Sequence, residues 1–431
     1  MHVLIGFSDV AGYYRQLAIG FDEIGVRTTV LAVRAHPFFA EERPPGQPPA
    51  VRLANRLATI ELARRSAPAR HMIMGIRVVL LTGSFIVALG RCDAFVIGFP
   101  YSSLHRAPLR LLRLLRRRVV TVFHGGDHRP PYCDGGWSAD LSGNGLAREA
   151  ERRRRIVMAA EQAGHVIGNP LSGQFHTKEL ICFQVVGIPC APDPMPHRER
   201  TSIVRVLHAP SKPSVKGTDR IREAVESARA SGYDLDYREL VGVPNHAVRD
   251  ALLACDLVVD QCYSDTTMAG FAAEAAEGGI ASMFGAFGAS VLASAIPPEG
   301  RPPAICVDPD QFAEALAAVV ADPDSLRVVG REAHEFVSTA WARSAVASRF
   351  VTILTDGPPD PWVVEPDTLD YLWGCGVTRE ETVRRTAAVL TARGEGGLAL
   401  RSQPRLRAEY VRAAVNSELL TPTSASRPTP S

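Results

Sequence analysis

No GxxxxGK[ST] segment occurs in the 431 residues, so a P-loop triphosphatase is excluded. The first strand-and-turn carries no GxGxxG, which removes the main support for a nicotinamide enzyme. No CxxC pair or compact Cys/His cluster occurs among the eight cysteines. Their scatter argues against structural zinc and fits a reduced chain better than a disulfide scaffold. Charge of one sign is not in excess: 48 basic against 46 acidic residues call for no nucleic-acid partner. Lysine is nearly absent, with Lys178, Lys212 and Lys216 the only three among those basic residues. No uncharged apolar run reaches membrane-spanning length, because Arg77 and Arg91 interrupt the most apolar stretch, Met72–Pro100.

The apolar content of 46% is that of an ordinary globular protein, and the length suits two domains. The opening MHVLIGFSDVAGYYRQ turns polar early and reads as a first strand rather than a signal peptide. Strand-like runs at Val3–Phe7, Val26–Val33, Ala94–Phe99, Val119–Phe123, His165–Gly168 and Phe183–Val186 alternate with helical patterns. The helical patterns include Leu109–Arg118, Glu149–Ala163 and Ser172–Leu180. Proline and glycine cluster at Gly187–Pro196, where a hinge is expected. The strand–helix pattern restarts at Val204 and runs to about residue 357. The expected plan is α/β, with one Rossmann-like domain over 1–190 and a second over 191–357. A helical extension over 358–418 and a disordered tail over 419–431 follow.

Four segments fall where parallel sheets hold ligands, beyond the carboxyl ends of strands. Gly6–Tyr13 is a turn that opens a helix, with Gly12 placed to let backbone approach a ligand; a plain tight turn fits as well. FHGGDHRPP holds His124, suited to donate to a sugar hydroxyl or phosphate, and Asp127, suited to hold a hydroxyl or orient a histidine. The competing reading is a polar glycine turn; metal ligation by His124 and His128 is weaker, for want of a third ligand. HAPSKPSVKGT places Lys212 and Lys216 four residues apart, with Ser211 and the Gly217 amide, and can neutralise a diphosphate. An ordinary solvated basic loop is the alternative. CYSDTTMAGFAAEAAEGG sets Asp265, Thr266 and Thr267 before a small-residue helix carrying Glu274, where a carboxylate can accept both ribose hydroxyls.

Taken together, residues 1–355 resemble the retaining glycosyltransferases of family 4, or group 1, with the GT-B architecture. HAPSKPSVKGT resembles that family's diphosphate loop, with Lys216 on its lysine and Lys212 on the companion basic position. FHGGDHRPPY resembles the segment with the acceptor-side histidine, here His124, and the turn at Gly12 matches the N-terminal glycine loop. DQCYSDTTMAGFAAEAAEGG resembles the stretch with two glutamates seven residues apart; the later falls on Glu274 and the earlier on Thr266, beside Asp265. The resemblance implies a GT-B-like fold, two Rossmann-like domains facing across a cleft. It implies sugar transfer with retention from a nucleoside-diphosphate sugar to an acceptor hydroxyl, with no cofactor and no metal.

Thr266 departs from the family pattern, which leaves a second reading: a catalytically silent homologue that binds a nucleotide or sugar phosphate. The acceptor, whether glycan, lipid-linked or small natural product, is not legible. The expected location is the cytoplasm. The basic stretch His105–Arg118 reads as a helix covering the first sheet, with peripheral contact to the inner face of a membrane as the alternative.

Overall fold

The computed structural model describes residues 1–32, 45–58, 66–98, 107–193, 195, 203–368 and 371–417. The expected tail over 419–431 and part of the expected hinge lie outside them. In the first domain β1 (His2–Phe7), α1 (Tyr13–Glu23), β2 (Arg27–Val30), α2 (Pro49–Ala58), α3 (Ala67–Arg91) and β3 (Ala94–Gly98) come first. Then come α4 (Ala107–Leu114), β4 (Arg118–Val122), α5 (Gly143–Ala163), β5 (His165–Gly168), β6 (Leu180–Cys182) and α6 (Phe183–Val186). The second domain runs β7 (Val204–His208), α7 (Pro213–Lys216), α8 (Thr218–Ala230), β8 (Leu235–Glu239), α9 (Asn245–Leu253), β9 (Leu257–Gln261) and α10 (Gly270–Glu277). It continues with β10 (Ala281–Gly285), α11 (Ala289–Ala295), β11 (Ile305–Val307), α12 (Phe312–Val320) and α13 (Pro323–Thr339). The chain then adds α14 (Arg343–Thr355), β12 (Val363–Val364), α15 (Arg379–Arg393) and α16 (Pro404–Asn416).

Two sheets result. The first has the order β12-β6-β5-β4-β3-β1-β2 and the second β11-β10-β9-β7-β8. Every described pairing is parallel except that of β12 with β6. Ile5 and Val122 sit in the first sheet, and Leu207 and Val259 in the second. The fold is therefore α/β and GT-B-like, with two Rossmann-like domains across a cleft. Strands such as β3 (AFVIG) and β9 (LVVDQ) are buried along their whole length. Helices cover both faces of each sheet, which is why the strands read as continuous apolar runs rather than alternating ones. In each sheet the strand order reverses beside the first strand, between β1 and β3 and between β7 and β9, and a ligand crevice opens at such a point.

The cores are not segregated by sequence. Phe350 and Ile353 of α14 pack with Leu17 and Phe21 of α1 on one face of the first sheet. Leu390 of α15 and Tyr410 of α16 pack on the other face with Tyr132 and Leu146. The chain crosses between domains twice, and the two crossings are hydrogen-bonded to each other, Cys190 N to Trp341 O at 2.8 Å and Arg343 N to Cys190 O at 3.0 Å. A later segment touches both domains: Cys375 N donates to Cys133 O of the first and Gly376 N to Tyr263 O of the second.

Two local expectations are corrected. Ser172–Leu180 is not helical: the Thr177 and Lys178 amides that a helix would use donate instead to the Glu161 carboxylate. Phe183–Val186 is a single helical turn, and the strand is Leu180–Cys182, between β5 and β12. A short apolar run does not by its pattern distinguish strand from buried helix. The apolar stretch around Met72 folds as α3, whose 25 residues make it the one helix among the described residues long and apolar enough to cross a membrane. Its Leu81, Phe85 and Ala88 are packed into the first core.

Candidate active site

The carboxyl ends of β1 and β4 face that of β9 across a cavity of ≈ 330 Å³. Its first-domain wall begins with the turn Val10–Tyr13. Ala11 at φ 49° and Gly12 at φ 79° are both left-handed, and the turn exposes backbone to the cavity at the start of α1. Arg15 and Gln16, in the first turn of α1, also line it.

His124 stands beside this turn at the end of β4. Its Nε2 is 2.8 Å from Tyr14 Oη. The rings of Tyr13, Tyr14 and Phe183 meet its imidazole edge-on, at centroid distances of 5.0, 5.5 and 5.5 Å. Burial pushes the imidazole down to about 4, so near neutral pH it is uncharged and acts through hydrogen bonds. Burial holds the Tyr14 phenol well above its ordinary value, which keeps its proton available for His124 Nε2. Asp127 lies behind this wall, where both its oxygens accept from the His124 amide, at 2.9 and 3.2 Å. It therefore fixes the His124 backbone; burial pushes its carboxyl up to about 7, against the His124 amide and the charges of Arg153 and Arg129. His128 turns away to a buried relay, Nδ1 to His176 Nε2 at 2.9 Å and on to Glu161. Among the described residues no group of three or more His, Cys, Asp or Glu side chains is arranged to hold a metal ion.

The second-domain wall comes from the loop after β9 and from α10. Asp265, Thr266, Met268, Ala273, Glu274 and Glu277 line it, with Arg249 of α9. Burial pushes the Glu274 carboxyl up to about 7; Arg249 opposes this, and Glu277 adds to it. Glu277 accepts from Ala191 N at 2.7 Å, and burial raises its carboxyl as well. Asp265 is turned toward the first domain. Its Oδ2 accepts from Arg129 Nε at 2.7 Å and Ser172 Oγ at 2.5 Å, and Asn169 donates to its carbonyl. Gln184 donates to Thr266 Oγ1 at 2.7 Å. The FHGGDHR and DQCYSDTT segments thus meet through Arg129 and Asp265, both nearly fully buried.

The loop after β7 stands differently. Lys216 donates from Nζ to Asp260 Oδ1 at 2.8 Å and to Gln261 Oε1 at 3.0 Å. Gln261 lines the cavity, so Lys216 is one side chain behind the wall. Gly217, at φ 70°, joins α7 to α8 and is packed against Cys262 and Tyr263. Ser211 and Lys212 are exposed and do not line the cavity. Of the residues selected from sequence, Gly12, His124, Asp265, Thr266 and Glu274 share the cavity; Asp127, Lys216 and Gly217 lie behind its walls.

Arg15, Arg249, Glu277 and Cys375 line the cavity unforeseen. Arg15 lies three residues past Gly12, a spacing that puts it one helical turn from that loop and offered a usable signal. Arg249 and Glu277 read as ordinary helix-surface charges. Cys375 comes from the segment between β12 and α15 that touches both domains, which nothing in local sequence places near the cleft.

No family model and no curated protein matches the chain. Solved structures that superpose include the glycosyltransferase of kitacinnamycin, at 12% identity over 82% of this chain and 99% of that one, with a TM-score of 0.42. S. aureus TarM, crystallised with UDP among its ligands, gives 11% identity over 64% and 59%, with a TM-score of 0.44. Anabaena Alr3699/HepE in complex with UDP-glucose gives 11% over 82% and 99%, with a TM-score of 0.40. At these scores the likenesses carry no argument, and the fold stated above rests on the two sheets themselves.

Proposed function

We propose that this chain is a glycosyltransferase that moves a sugar from a nucleoside-diphosphate donor to an acceptor hydroxyl with retention of configuration. The observation that carries the reading is the cavity between two switch points, with His124 on one wall and Glu274 on the other. Glu274 accepts the two ribose hydroxyls, a pairing that charged acceptors make more strongly than neutral ones. The diphosphate lies between the α1 amino end, with Gly12 and Arg15, and the Arg249 side of the second domain. Lys216 adds charge by releasing Asp260 and Gln261, and Lys212, exposed on the same loop, is its weaker companion. These groups offset the charge that builds on the departing diphosphate.

His124, uncharged and held through Tyr14, directs a nitrogen to the sugar or acceptor hydroxyl. Asp265 and Thr266 set the sugar subsite through their contacts to Arg129 and Gln184 rather than by a free carboxylate. No cofactor enters this scheme; the sugar nucleotide is a co-substrate.

The test is turnover against a panel of nucleoside-diphosphate sugars with mixed acceptors. His124→Ala should lower transfer by roughly a hundredfold or more, within the range of lost acid–base or hydrogen-bonding groups. Its affinity for the free nucleoside diphosphate, measured by calorimetry, should change little. Equal losses in both would assign His124 to nucleotide binding. Saturable nucleotide binding without any turnover would favour the silent-homologue reading that Thr266 suggests.

A further inference from the structure

Helix α3 is apolar on two opposite faces. Leu81, Phe85 and Ala88, with Cys92 just beyond the helix end, form one stripe, packed into the first core. Met72, Ile76, Val79, Gly83, Ile86 and Gly90, spaced four and three residues apart, lie on the other side. That second stripe is bare: Met72 is 62% exposed, Val79 70% and Ile86 60%. Helix α4 continues the surface beside the carboxyl half of α3, where Arg117 Nη2 donates to Leu89 O at 2.8 Å. Its Leu109 and Leu112 are buried while Leu114, just above them, is 79% exposed.

The charge around this surface is one-sided. The described residues between 66 and 126 hold eight arginines and a single acidic residue, Asp93, in a chain whose formal charge is only +2. Arg110, Arg113, Arg116 and Arg118 are exposed beside the bare leucines of α4. Phe85 of α3 already meets Phe7, the last residue of β1, with ring centroids 5.4 Å apart. That contact puts the middle of α3 at the carboxyl end of the first sheet, the end where the cavity opens.

We propose that the α3–α4 face is a docking surface for an anionic phospholipid bilayer, with α3 lying in the interface and its bare stripe among the acyl chains. The arginines meet the headgroup phosphates, as basic residues flanking interfacial helices do. A second copy of the chain is the poorer occupant, because a two-fold contact would press two arginine-rich faces together. A transmembrane placement is excluded by the opposite stripe, which the first core holds. The inference does not depend on the proposed reaction.

The experiment is flotation of the full chain with vesicles of phosphatidylcholine, alone or with one third phosphatidylglycerol. The protein should float with the anionic vesicles, release on raising salt, and remain behind with pure phosphatidylcholine. Val79→Glu with Ile86→Glu should abolish flotation, and Arg110→Glu with Arg116→Glu should weaken it more than about tenfold. All four positions are exposed, so unfolding midpoints should stay close to wild type, which separates lost docking from lost fold. Absence of flotation at low salt would overturn the proposal, as would equal binding to both vesicles. Sedimentation as a dimer that Val79→Glu with Ile86→Glu splits would assign the stripe to self-association instead.

Discussion

Glu274 and His124 titrate on opposite sides of their ordinary values, and each ties the site to pH. The Glu274 carboxyl, pushed up to about 7, is largely protonated below that pH in the free protein. If it must be ionised to accept the ribose hydroxyls, nucleotide binding releases a proton, and affinity rises about tenfold between roughly pH 6 and pH 8. Calorimetry of wild type and Glu274→Gln checks this, since both share the titration of the ligand's own phosphate and only the difference reports the carboxyl. An identical pH slope in the two proteins would remove Glu274 from the ribose. The stability signs are opposed. Glu274, raised in the fold, favours folding at low pH and loses that contribution as pH rises through about 7. His124, lowered from 6.5, contributes fully above 6.5, and its contribution falls as pH drops toward about 4. Both residues were legible in sequence because each follows a strand at a point where α/β sheets hold ligands. Arg249 was not, because its place depends on how α9 packs beside α10, which no local pattern records.

At the scale of elements, packing decides what a glycine is for. Gly20 in α1 lies against α14, and a Cβ there would collide with the Arg343 carbonyl. Gly83 in α3 has nothing near it. Gly20→Ala should therefore cost about 1–3 kcal/mol by forcing two helices apart, while Gly83→Ala should stabilise by about 0.5–1 kcal/mol through helix propensity alone. Urea unfolding of the two variants should show midpoints moving in opposite directions with unchanged slope. The sequence gives no hint of this difference in sign. Similarly, the strands and most helices were legible from apolar runs and their spacing. The stretch from Ser172 to Val186 was not, because Glu161, distant in sequence, takes the amides that would have made a helix.

Over the whole molecule the two halves are joined by more than a linker. Arg129 and Asp265 form a nearly dry ion pair between the domains, which Asp134 and Ser172 complete. Arg129→Met should cost about 3–5 kcal/mol, since it strands a buried carboxylate. Adding Asp265→Asn should restore part of that loss, and thermal unfolding of the single and double variants measures the coupling. Simple additivity would show that the pair is not coupled. The two-domain plan was legible from the restart of the pattern at Val204. The return of α15 and α16 to the first core is fixed only by tertiary contacts. That return has a consequence for biosynthesis. The ribosome delivers the first sheet early, but Phe350, Leu390 and Tyr410, which finish both of its faces, emerge after the entire second domain. The nascent first half must therefore wait, with apolar surface open, while the second half is made. The second domain, whose principal core spans residues 204–326, is the part able to consolidate first. Assembly then runs against the order of synthesis, and the last helices to leave the ribosome seal the part of the protein that was begun first.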